Sequence, residues 1–231
     1  MRIVAVLQAR LGSTRLPGKA LKEINGLPII VHIWRRLMRC LQVDECIVAW
    51  GGNLPTNTIF NDYGMRAIAG SEDNLLDRLM LAGHYCHADA ILRVRADCLF
   101  LDPALLDEMV RHYRDMYPIK RGVTNWPARN YSEGLDAEVW SMELLAELDR
   151  TKECPREDFG TWAIEHGLCS PMYMKQSDGE PHLSIDTQED FERATKMIEW
   201  LERNRACSFD GEGRYRPWKY SETLKAWEAT K

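Results

Sequence analysis

Apolar positions in the first half of the chain switch repeatedly between short continuous runs and a spacing of three to four residues. That switch predicts buried strands alternating with amphipathic helices. Residues 3–7, 46–50, 65–69 and 90–94 are the predicted strands. After Pro28, the side chains Ile30, Ile33, Leu37 and Leu41 recur at helical spacing, with the proline suited to the first turn. A second helix is predicted over 73–87, with Leu76, Met80 and Tyr85 available for packing. A third starts near Pro103 and buries Leu106, Met109, Val110 and Tyr113. Strands and helices in alternation build an α/β fold around a mostly parallel sheet.

The segment 120–140 breaks this rhythm. It is rich in Asn, Arg, Trp, Gly and Pro, then runs into Asp136-Ala137-Glu138-Val139-Trp140, whose alternation predicts a strand with one polar face. Such an excursion suits a second substrate, and Trp126, Arg129 and Tyr131 are its candidate contacts. Helices are predicted over 157–166 and 189–203, with a strand at 182–185 between them. Residues 1–204 are therefore expected to form one domain. The tail 205–231, with Trp218 and Tyr220 before a last short helix, packs either on that domain or on a second subunit, which leaves a homodimer open.

Composition narrows the class. Of 231 residues, 45% are hydrophobic, enough for one large α/β core. A formal charge of −5 argues against a nucleic-acid surface, which calls for a basic excess. Seven cysteines, odd in number and without a CxxC pair, fit reduced thiols and a cytoplasmic location. The apolar start is too short for a signal peptide, and no run is long enough to span a membrane.

The candidate chemistry begins directly after the first strand, where Arg10, Gly12, Ser13, Arg15, Gly18 and Lys19 follow one another. A loop at the carboxyl edge of an α/β sheet is where ligands bind. Glycines let the backbone approach a phosphate, and the cations supply charge-assisted hydrogen bonds. A Walker loop is excluded, because five residues separate Gly12 from Gly18 and Ala20 follows Lys19. A dinucleotide fingerprint is excluded because no glycine stands two residues after Gly12.

A polyphosphate site that performs chemistry needs a divalent ion, and carboxylates at strand ends are its usual ligands. Asp97 follows the predicted strand 90–94, and Asp186 follows the one at 182–185. For Asp186 a second reading stands beside the first: Asp186 or Thr187 caps the next helix. His84, Cys86 and His87 lack a second pair of ligands and are read as structural.

These residues carry a resemblance. Gln8-Ala9-Arg10-Leu11-Gly12-Ser13-Thr14-Arg15-Leu16-Pro17-Gly18-Lys19 resembles the signature of the SpsF-type (spore coat polysaccharide biosynthesis protein F) cytidylyltransferases, relatives of the CMP-sialic acid and CMP-KDO synthetases. The matches continue in order through Gly70-Ser71-Glu72-Asp73-Asn74-Leu75-Leu76-Asp77-Arg78, Arg93, Asp97-Cys98, Glu133-Gly134-Leu135-Asp136-Ala137-Glu138-Val139, Arg156-Glu157 and Asp186-Thr187-Gln188-Glu189-Asp190. The resemblance implies a Rossmann-like α/β/α sandwich of the nucleotide-diphospho-sugar transferase type, and Mg²⁺-dependent transfer of CMP from CTP. It implies that Leu7, Ala9, Arg10, Gly12, Ser13 and Lys19 hold the nucleotide, with Ser71, Asp77 and Arg78 lining its pocket. Asp97 and Asp186 are implied metal ligands, and Asp136 and Glu138 are implied to face the acceptor or a second metal. Arg10, Arg15, Lys19 and Asp97 are the catalytic candidates.

The chain departs from the family pattern at Arg95-Ala96, where a small or hydroxyl residue and then glycine usually precede the metal aspartate, and at Leu99. Arg95 either meets an anionic group of the acceptor or pairs with a neighbouring acid. The expected partners are CTP and a small anionic acceptor, such as an acidic sugar, a sugar phosphate or a phosphonate. Two other readings remain: another NTP with a hexose 1-phosphate, or a nucleotide-binding protein without catalysis.

Overall fold

The computed structural model describes residues 1–56, 58–126, 132–172, 181–204, 208–209 and 215–231. Seven strands, β1 (Ile3–Arg10), β2 (Glu45–Gly51), β3 (Ala67–Gly70), β4 (Ala90–Arg95), β5 (Gly122–Thr124), β6 (Ala137–Ser141) and β7 (Cys169–Pro171), form one sheet in the order β3-β2-β1-β4-β6-β5-β7. β1 pairs in parallel with β2 on one side and β4 on the other, while β6 runs antiparallel to both of its neighbours. The main helices are α1 (Ile29–Leu37), α2 (Leu75–Tyr85), α3 (Pro103–Met116), α4 (Met142–Arg150), α5 (Phe159–Glu165), α6 (Gln188–Arg203) and α7 (Tyr220–Thr230).

Alternation along β1 divides the core into two layers. Ile3, Ala5, Leu7 and Ala9 pack with α1, α3 and α6 on one face, and Val4 and Val6 pack with α2, α4 and α5 on the other. Residues 3–7 therefore read as one continuous apolar run, because both faces of the strand are covered. No helix among the described residues is long and apolar enough to cross a membrane.

Several boundaries move. α1 ends at Leu37 and leaves Leu41 85% exposed, its amide bonded to Asp107. Pro28 precedes α1 instead of opening its first turn. α2 starts at Leu75, because the Asn74 side chain accepts the Asp77 N–H and caps it, and its Tyr85 is 56% exposed. The strand expected at 65–69 shifts to Ala67–Gly70, while Met65 stays buried outside it. Residues 182–185 join no strand pairing; Leu183 N–H donates to Glu133 O and Ile185 N–H to Asp97 O, so the segment is pinned across the ends of other elements. β5, β7 and α4 were not anticipated. α4 follows β6 with no loop between them, capped by Ser141, whose hydroxyl accepts the Leu144 N–H.

The described part of the tail lies on the rest of the chain. Trp218 is buried against Phe100, and the Arg36 guanidinium sits 4.7 Å over its ring while donating to the Trp218 carbonyl. α7 packs along α6. The Tyr220 N–H donates to Asp102, and its hydroxyl bonds Ser132 at 2.9 Å.

Candidate active site

β1 delivers Arg10 to the carboxyl edge of the sheet, and the loop beyond it closes on itself through Ser13 and Gly18 N–H groups that both donate to the Leu11 carbonyl. Gly18 has φ +66°, a left-handed turn that glycine adopts without strain, and a short 3₁₀ turn over Lys19–Leu21 follows. This turn aims Lys19 back across the sheet edge. Its Nζ lies 3.0 Å from Asp97 Oδ2, 3.0 Å from Asp186 Oδ1 and 2.9 Å from the Ile185 carbonyl. Two carboxylates distant in sequence thus converge on one cation.

Further cations surround the pair: Arg15 reaches Asp186 Oδ1 at 3.1 Å, and Arg95 reaches Asp97 Oδ2 at 2.9 Å. Burial opposes ionisation of Asp97, but Arg95 and Lys19 more than offset it and hold the carboxyl far below its ordinary range. Thr187 caps α6 in a reciprocal box with Asp190, as the second reading of this segment allowed, and the Asp186 carboxylate takes no part in the cap. Asp190 also accepts the Asp186 N–H, so the α6 cap fixes the backbone of Asp186.

Ala9, Arg10, Gly12, Ser13, Arg15 and Lys19 line a cavity of about 290 Å³ together with Arg95, Asp97 and Asp186. Among the described residues no group of three or more His, Cys, Asp or Glu side chains could hold a metal ion. The Asp97–Asp186 pair nevertheless fits a hard divalent cation. Mg²⁺ typically takes one or two carboxylates and fills its remaining positions with water and substrate phosphates. Here two carboxylate oxygens and a carbonyl already surround a single cationic centre.

A second cavity of about 100 Å³ adjoins the first, with Arg95 lining both. Asp136, Glu138, Trp126 and Arg93 line it, together with Glu157 and Asp158 near the start of α5. Arg93 bonds Glu138 at 2.6 Å and Gln8 at 2.9 Å, and Arg95 lies 3.8 Å from Asp136. Arg95 thus pairs with two acids while standing between the cavities. Burial pushes the Asp136 carboxyl up, and Arg95 only partly counters it. Arg129 and Tyr131 lie outside the described residues.

Four expected residues line neither cavity. Leu7 is in the core, and Asp77 is exposed in the first turn of α2. The Ser71 hydroxyl accepts the Asn74 N–H. Arg78 is fully buried and donates to the Ser71 and Glu72 carbonyls, the latter shared with Arg10, so it supports the wall behind the Arg10 side chain. Conversely, the sequence reading assigned no role to Glu157, which accepts the Leu75 N–H and lies 3.8 Å from Arg10, or to Arg93. Both stood inside the motif segments, which was the available signal. The Ile185 carbonyl left none, since any residue type carries one.

Comparison with known proteins gives the chain its family. The family model described as Cytidylyltransferase matches residues 4–209. The spore coat polysaccharide biosynthesis protein SpsF of Bacillus subtilis is 29% identical over 205 residues, covering 82% of this chain and 83% of that protein. Among solved structures, a cytidylyltransferase from Leptospira borgpetersenii superposes with a TM-score of 0.79 at 26% identity, over 89% of this chain and 96% of that one. A CMP:2-keto-3-deoxy-manno-octonic acid synthetase complexed with CTP shares the fold at a TM-score of 0.70 and 18% identity, over 87% and 99% of the two chains.

Proposed function

Because the chain belongs to the cytidylyltransferase family, we propose that it transfers CMP from CTP to an anionic oxygen of a small acceptor, with release of pyrophosphate. The acceptor class is an acidic sugar, a sugar phosphate or a phosphonate, and the product feeds surface-glycan or related conjugate synthesis. The observation that carries this reading is the convergence of Lys19, Arg15, Asp97 and Asp186 on a cavity floored by the β1 loop. The SpsF relative, by its name a polysaccharide biosynthesis protein, supports the glycan context.

In this reaction Arg10, Arg15 and Lys19 hold the triphosphate, and Ser13 with the Gly12 backbone fits close to it. Arg15 and Lys19 neutralise the charge that builds on departing pyrophosphate, so catalysis is mostly positioning and electrostatics. Asp97 and Asp186 would hold Mg²⁺, which when bound withdraws charge from the phosphate oxygens. Arg95 stands between the two cavities and orients the anionic acceptor, with Asp136, Glu138 and Trp126 forming the wall beyond. An acceptor oxygen that is already ionised needs no base. Ser71 and Arg78 act in this reading by shaping the wall behind Arg10, Leu7 by packing in the core beneath the loop, and the exposed Asp77 takes no part.

The test is a panel of acidic sugars, sugar phosphates and phosphonates with CTP and Mg²⁺, read as pyrophosphate. Acceptor-dependent release that is lost in Asp97→Ala is expected. Tight binding of UTP or dTTP without CTP binding would overturn the choice of base, and CTP binding with no turnover across the panel would overturn the choice of acceptor class.

A further inference from the structure

The Lys19 ammonium occupies the point on which the two metal-binding candidates converge. Every carboxylate oxygen there is already engaged. Asp97 Oδ2 accepts from Lys19 and Arg95, and Asp97 Oδ1 accepts the Cys98 thiol at 3.4 Å. Asp186 Oδ1 pairs with Lys19 and Arg15, and Asp186 Oδ2 accepts the Ser184 hydroxyl at 3.0 Å. Three cationic side chains thus face two carboxylates, and the Lys19 side chain is only 13% exposed.

We propose that Lys19 holds the place of the divalent ion while the nucleotide is absent, so that the ion enters only together with the triphosphate. This rests on the reading of Asp97 and Asp186 as metal ligands. A free divalent ion approaching the pair meets a third positive charge at hydrogen-bond distance from both ligands, and like charges that close repel strongly when partly buried. It competes with the ammonium for Asp97 Oδ2 and Asp186 Oδ1, and displacing the ammonium relieves the repulsion. The triphosphate changes the balance. Its phosphate oxygens give the ammonium a new partner, and the lysine stem has the freedom to follow them while its backbone stays fixed in the 3₁₀ turn. Nucleotide binding thereby vacates both carboxylates as it brings the ion. Arg15 stays beside Asp186, where it offsets the charge of the incoming phosphates, and Arg95 stays beside Asp97.

The inference predicts coupling between nucleotide and metal that is strong in the wild type and weak once Lys19 is neutralised. The test measures Mn²⁺ bound to the chain by equilibrium dialysis, without nucleotide, for wild type, Lys19→Met and Lys19→Gln, with circular dichroism reporting folding. At least one neutral variant is expected to bind Mn²⁺ about tenfold or more tighter than wild type, a size typical of site-to-site coupling. Equal affinities would overturn the inference. A wild-type measurement alone also tests it: saturable Mn²⁺ binding without nucleotide, as tight as in the presence of α,β-methylene-CTP, overturns it whatever the variants do. If no form binds Mn²⁺ even with that analogue, the assignment of Asp97 and Asp186 as metal ligands fails, and the inference with it.

Discussion

Replacing Asp190 by asparagine should cost stability in a way that depends on pH. The Asp190 carboxylate accepts from the Asp186 N–H at 3.0 Å and from the Thr187 N–H and hydroxyl at 2.8 and 2.9 Å, and it pairs with Arg193. Burial opposes its ionisation, but these donors prevail and lower its pKa from 3.8 to about 2. That difference corresponds to about 2 kcal/mol favouring the ionised carboxyl in the folded state. Because the folded value is the lower one, the contribution is complete above pH 3.8 and is lost as pH falls through about 2. Urea unfolding followed by tryptophan fluorescence should show Asp190→Asn less stable by about 2 kcal/mol at pH 7, with roughly half of the deficit gone by pH 3. A deficit of the same size at both pH values, or one within error at pH 7, would refute the assignment of the cap as a charged anchor. Since the same carboxylate fixes the Asp186 backbone, the variant should also lose pyrophosphate release at temperatures where it remains folded.

Gly134→Ala should destabilise the fold by about 3 kcal/mol, because φ is +99° there and an added Cβ would lie 2.3 Å from the Ser184 backbone nitrogen; an unchanged melting temperature would contradict the contact. Trp218→Ala should cost about 3–5 kcal/mol and expose α7 to limited proteolysis, since the indole is buried against Phe100 under the Arg36 guanidinium. Arg95→Ala should raise the KM for the acceptor more than the KM for CTP, and an unchanged acceptor KM would remove Arg95 from acceptor binding.

The loop after β1 that lines the cavity was legible because its signal is local. Gly12, Ser13, Arg15 and Lys19 lie in one loop, and a strand followed by glycines and cations has few other uses. Asp97 could be read from the strand before it. The partners of these residues could not, because Lys19 and Asp186 are 167 positions apart and meet only through tertiary packing. The segment 182–185 shows a different limit: its apolar alternation is satisfied by burial of Leu183 and Ile185, yet it is held by single hydrogen bonds to Glu133 and Asp97 instead of a ladder. α4 was missed because its first residue directly follows the last of β6, so no turn chemistry separates the two periodicities. Asp77 and Arg78 illustrate the reverse case, where adjacent residues of one motif face solvent and core respectively, as a helix requires.

The reversed direction of β6 has an engineering consequence. Its pairing with β4 runs from Val94 opposite Ala137 to Ala90 opposite Ser141, so the first residues of β6 meet the last residues of β4 at the edge where both cavities open. The wall that carries Asp136 and Glu138 is thus attached to β4 by one antiparallel seam. Exchanging the segment before Ala137 between family members leaves that seam and the β1 loop untouched. If the wall binds the acceptor as proposed, acceptor choice becomes a replaceable part, and chimeras built at this junction test whether it travels with the segment.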